Sequence, residues 1–135
     1  PNFYLNSLLW DKQQEKTIGL ADLLIDSSEN SAALQMLSAN LFEQWETEFK
    51  EKSNSDEIDG YALDWAQKAL APKVTSFESF VLIAKKGAKG APATGLTFQY
   101  SPYKLSAYVF GSFSFDVPSS ALHPYLTAEW KRQFE

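Results

Sequence analysis

One histidine, no cysteine and seventeen carboxylates in 135 residues leave few ways to build a catalytic centre. His123 stands beside Pro124 with no recognisable partner. A general base needs a neighbour to orient it, so this residue reads as a surface or helix-end histidine. A serine nucleophile lacks the G-x-S-x-G elbow. The missing cysteines exclude disulfides, thiolate metal sites and a thiol nucleophile. "SDEIDG" faintly matches a calcium loop, but Ser55 takes the first ligand position and Ala66 the last, where a bidentate Glu is required. "GAKGAPATG" lacks the G-K-[ST] ending of a phosphate cradle and reads as a hairpin connection, with Lys85, Lys86 and Lys89 as solvated charges. Catalytic residues, metal and cofactor are therefore all expected to be absent.

Two candidates survive this screen. Glu78 and Asp116 sit in expected strands on the polar face and could form the carboxylate pair of a glycan hydrolase, although exposed strand acids are common. The other is "FQYSPYKLSAYVFGSFSFDVP", residues 98 to 118, where seven of twenty-one positions are aromatic. Leu96, Phe98 and Tyr100 alternate with polar residues, as do Phe113, Phe115 and Val117, so Phe98, Tyr100, Phe113 and Phe115 are expected in the core. Pro102 cannot donate to a ladder and marks an edge or turn. Aromatic parity changes across Gly111, and a β-bulge there would bring Tyr108 and Phe110 back into phase. Tyr103, Tyr108 and Phe110 are left as the candidate contact residues.

The elements that must position these residues follow from periodicity. "FYLNSLLW" suggests a strand running into the turn "DKQQEK", and "TIGLADLL" a short strand and then a helical turn. Leu34, Leu37, Leu41, Phe42, Trp45 and Phe49 predict a helix from about Glu29 to Lys52, with N-cap candidates at Asp26, Ser27, Ser28 and Asn30. "YALDWAQKAL" predicts a second helix with Tyr61, Trp65 and Ala69 on one face, stopped by Pro72. Strands are expected in "FESFVLIAKK", "LTFQY" and "FSFDV", then short helical pieces around Pro124. The sum is one α+β domain over residues 1–135, an antiparallel sheet packed against one long and one or two shorter helices.

A net charge of -5 argues against nucleic acid as the partner, because phosphate binding needs a basic footprint. It suits a cationic one. No apolar run reaches the eighteen residues of a spanning helix. The abrupt "PNFYLN" start, without a signal peptide, reads as a fragment of a longer precursor.

The chain resembles the C-terminal domain of the extracytoplasmic anti-sigma factor RsiV, which is also appended to PdaC-type peptidoglycan deacetylases and is otherwise known as a domain of unknown function. Three stretches carry the likeness: "LLWDKQQEKTIGLADLL", with Leu24 where Phe is usual; "FESFVLIAKKG" with "TGLTFQYSPYKLSAYVFG"; and "FSFDVPSSALHPYL". The stretch from Asn54 to Pro72 is longer than the family pattern. The resemblance implies a non-catalytic binding or sensing domain of a cell-envelope protein. It would lie in the periplasm or elsewhere outside the cytoplasm, reaching the membrane only through a missing N-terminal anchor, a lipid being one option in the full precursor. In RsiV the corresponding part is a lysozyme receptor, so a cationic protein such as lysozyme, or cell-wall glycan, is the implied partner. Tyr100, Pro102, Tyr103, Tyr108 and Gly111 match the family motif and read as fold-defining, with Pro118 in the closing segment. The rival expectations are the carboxylate-dependent hydrolase and a purely structural lipoprotein domain.

Overall fold

The computed structural model describes residues 9–11, 16–83, 92–106 and 110–135. The chain begins with a short antiparallel hairpin, β1 (Leu9–Asp11) and β2 (Lys16–Ile18), with Trp10 opposite Thr17. A single helical turn, α1 (Leu20–Leu23), follows, and its Asp22 side chain accepts from the Gly19 amide at 2.9 Å.

The long helix α2 runs Ala32–Ser53. It starts three residues later than periodicity predicts, because Asn30 adopts a left-handed conformation (φ 66°) and Ser31, not an earlier polar residue, supplies the cap by accepting from the Leu34 amide. Leu34, Leu37, Leu41, Trp45 and Phe49 all face the core. The helix ends on Asn54, whose left-handed backbone (φ 54°) turns its amide onto the Glu51 and Lys50 carbonyls.

Helix α3 (Gly60–Ala69) is capped by Asp59, which accepts from the Ala62 amide at 2.8 Å. Thus the second aspartate of "SDEIDG" is a helix cap. The buried stripe of α3 is Ala62, Ala66 and the following Leu70, not Tyr61, Trp65 and Ala69. Both stripes have i, i+4 spacing. The small alanines let α3 lie close to the core, and the rings of Tyr61 and Trp65 go to the outside, with Tyr61 77 % exposed.

A 3₁₀ turn (Val74–Phe77) buries Phe77 edge-on against Phe98, ring centres 6.0 Å apart, and leads into the sheet. The sheet has the order β3 (Phe80–Ile83), β4 (Gly95–Tyr100), β5 (Phe113–Pro118), all antiparallel. Phe80, Phe98 and Phe115 lie abreast across it on the core face, each worth about 2–3 kcal/mol of apolar burial. Alternation in β5 is strict: Phe113, Phe115 and Val117 are buried, while Ser114, Asp116 and Pro118 are exposed. Helix α2 lies along β5, and Gln44 donates to the Asp116 carbonyl at 3.0 Å. The architecture is α+β, as the element order predicts, with one long helix against an antiparallel sheet.

The change of parity at Gly111 has a different cause from a bulge. Tyr100 pairs directly with Phe113, so β4 ends before the change and β5 begins after it. Gly111 lies in the connection at φ +73°, a conformation that favours glycine. It is structurally constrained, but as a left-handed turn residue. The tighter requirement falls on Gly95, where an added Cβ would run into the Val117 carbonyl oxygen and the Pro118 Cα of the neighbouring strand.

Past β5 the chain forms α4 (Ser119–Leu122), a 3₁₀ turn (His123–Tyr125) and α5 (Ala128–Lys131). The last residues return to the sheet side. The Ala93 amide donates to the Gln133 carbonyl and the Glu135 amide to the Ala93 carbonyl, with Phe134 buried between.

Candidate functional site

A cleft of about 270 Å³ opens where the C-terminal end of α3, the Val74–Phe77 turn and the end of β4 meet. Lys68 and Ala69 contribute from α3, Lys73, Thr75, Ser76 and Glu78 from the turn, and Tyr100, Ser101 and Lys104 from the strand end and its following turn. A shallower groove joins it at Lys68, Ala69 and Lys104 and extends along the outer face of α3 past Trp65 and Tyr61. These two rings stand edge to face, centres 5.9 Å apart.

Tyr100 is the hinge between core and cleft. Its ring packs against Phe115 at 6.0 Å, while its hydroxyl donates to the Ser76 carbonyl at 2.8 Å and ties the strand end to the turn. Burial pushes its phenol well above the usual tyrosine range, so it stays neutral and acts as a donor. Lys68 pairs with Asp64 one helical turn earlier at 3.1 Å, an exposed pair of small energetic weight. Lys73 and Lys104 have no ion-pair partner among the described residues.

The candidate contact residues are placed in different environments. Tyr103 is 62 % exposed in the turn after β4 and has positive φ (76°), an uncommon state for a bulky residue. Its neighbour Lys104 lines the cleft, and the Lys104 amide closes the turn onto the Ser101 carbonyl at 3.0 Å. Phe110 is half-buried, its ring 4.5 Å from that of Phe49 on α2. Its carbonyl accepts from Lys52 Nζ at 2.8 Å, as does that of Ser112, and the same ammonium lies 3.9 Å from the Phe113 ring centre. Tyr108 lies outside the described residues. Pro102 belongs to the turn, and Pro118 closes β5 as the residue before α4.

Asp116 and Glu78 belong to opposite edges of the sheet. Asp116 is opposite Thr97, whose hydroxyl it accepts at 2.7 Å, on the outer strand β5. Glu78 precedes the other outer strand, level with the Tyr100 end of β4. Strand β4 therefore lies between them. His123 sits in the 3₁₀ turn with its Nε2 buried and without a hydrogen-bond partner among the described residues. No group of three or more metal-ligating side chains occurs among the described residues, and no helix there is long and apolar enough to cross a membrane.

Sequence reasoning did not single out Lys68, Lys73 and Lys104. The available signal was the pairing of Tyr61 and Trp65 at i, i+4, which periodicity placed on one face with Ala69, and Lys68 about one turn further on.

No family model and no curated protein matches the sequence. Among solved structures, the crystal structure of a member of the DUF3298 family from Bacteroides fragilis is similar in fold, with a TM-score of 0.51 and 17% identity, covering 90% of this chain. The likeness covers 40% of that chain, so the present sequence spans well under half the length of its neighbour. At this identity it establishes the fold.

Proposed function

We propose that the chain is a non-catalytic binding or sensing domain of a bacterial cell-envelope protein, and that it recognises a cationic protein of the lysozyme kind or a cell-wall glycan. The observation that carries this reading is the likeness in fold to the DUF3298 structure, since DUF3298 is the domain type of RsiV and PdaC. A fold-defining role for the motif residues fits this reading: Tyr100 ends β4 opposite Phe113, and Tyr103 and Gly111 both have positive φ. On this reading the domain works outside the cytoplasm, attached to whatever anchor the full protein provides.

Charge supports both partners on different surfaces. Eight of the seventeen carboxylates fall between Glu43 and Asp64, and Glu43, Glu48 and Glu51 line a shallow groove beside Phe115 that suits a cationic protein. The lysine-lined cleft suits an acidic glycan. Calorimetric titration with a cationic lysozyme and with muropeptides tests the proposal. Saturable binding of at least one, weakened by salt, is expected. If neither binds at about millimolar concentration, corresponding to only ~4 kcal/mol, the reading fails.

A further inference from the structure

We infer that the cleft between α3, the Val74–Phe77 turn and the end of β4 binds a carboxylated saccharide, with a sugar ring stacked on the exposed ring of Tyr61 beside Trp65. This rests on the reading of the chain as a binding domain and assigns it a site and a ligand class.

Three features of the cleft converge. In a chain of net charge -5, its walls bring together Lys68, Lys73 and Lys104 against Glu78 and the Asp64 already paired with Lys68. Two ammonium groups thus face the concavity with no ion pair among the described residues, in a place where a ligand carboxylate would neutralise them. Between them the lining mixes apolar surface with the hydroxyls of Thr75, Ser76 and Ser101, which suits the amphipathic faces of a sugar ring. Alongside stand two aromatic rings on the outer face of a helix. Aromatic faces attract the C–H face of a pyranose through dispersion and their negative quadrupole. Tyr103, with its left-handed backbone, belongs to the turn that presents Lys104, and the Lys104 amide closes that turn onto the Ser101 carbonyl. A polynucleotide would need a far larger positive footprint than three lysines.

The test is calorimetry at low salt with a tetrasaccharide of alternating N-acetylglucosamine and N-acetylmuramic acid, whose lactyl groups carry carboxylates. Chitotetraose, of similar backbone without them, is the control. We expect the carboxylated sugar to bind at least tenfold more tightly than chitotetraose. Lys104→Gln and Tyr61→Ala, both at exposed positions, are each expected to weaken it about five- to tenfold with an unchanged circular dichroism spectrum. Wild-type binding that survives both substitutions overturns the cleft assignment and leaves the binding function standing. Lysozyme binding without saccharide binding also overturns this inference alone. Failure of both ligands removes the functional reading with it. Binding of a poly-glutamate peptide in place of the sugar would overturn the ligand class.

Discussion

At the scale of single residues, the strictest demands come from side chains that are absent or hidden. Gly95 faces Pro118 across the ladder, and a methyl group there meets main-chain atoms that have nowhere to move. Gly95→Ala should therefore cost about 2–3 kcal/mol, read as a lower urea midpoint with an unchanged slope. Gly111→Ala meets no neighbouring atom and suffers only from its positive φ, so about 1–2 kcal/mol is expected. Tyr100 links stability to pH. Its folded-state pKa is raised by burial, so its stabilising contribution is complete below the unfolded value of about 10 and is lost as pH rises above it. Tyr100→Phe should remove that part of the alkaline destabilisation, while costing about 1 kcal/mol at pH 7 by stranding the Ser76 carbonyl. Denaturant titrations of both proteins between about pH 7 and pH 11 check the sign.

At the scale of elements, α2 organises the molecule by reaching connections as well as the sheet. Trp45 donates to the Ser106 hydroxyl at 3.0 Å, both residues buried, and holds the turn after β4. Near the helix end, Lys52 clasps the carbonyls of Phe110 and Ser112 and pairs with Glu48 at 3.1 Å. Lys52→Met keeps the aliphatic stem and deletes the charge. It should cost about 1–2 kcal/mol and speed amide exchange in the residues beside Phe113. Periodicity made α2 and the core faces of β4 and β5 readable, because Leu37, Trp45, Phe98 and Phe115 each obey one period throughout. It failed for α3, where two stripes share the i, i+4 spacing and only the volume available beneath the helix selects alanine over the rings. It also failed at Gly111, since a parity change looks the same whether a strand bulges or stops. The cleft was illegible for a plainer reason: Lys68, Lys73 and Lys104 come from three separate segments, and nothing in their local sequence announces that a sheet end brings them together.

At the scale of the whole molecule, closure depends on the chain's last residues returning to its middle. Phe134 is buried beside Ala93, with backbone bonds on both sides of it. Phe134→Ala should cost about 3 kcal/mol and lower Tm by roughly 10 °C in a thermal melt, although the residue is next to last. The same long-range assembly separates the acidic groove of α2 from the lysine cleft, so two partners of opposite charge would meet different surfaces of one small domain. The indole of Trp65 also gives the protein an optical reporter. Trp45 is sealed in the core and will emit at short wavelength whatever the surroundings, whereas Trp65, in the groove that joins the cleft, and Trp130, away from it, are both in partial contact with solvent. Occupancy of the cleft can therefore be followed without a label, as a shift or quench in the long-wavelength part of the emission that Trp65→Phe abolishes.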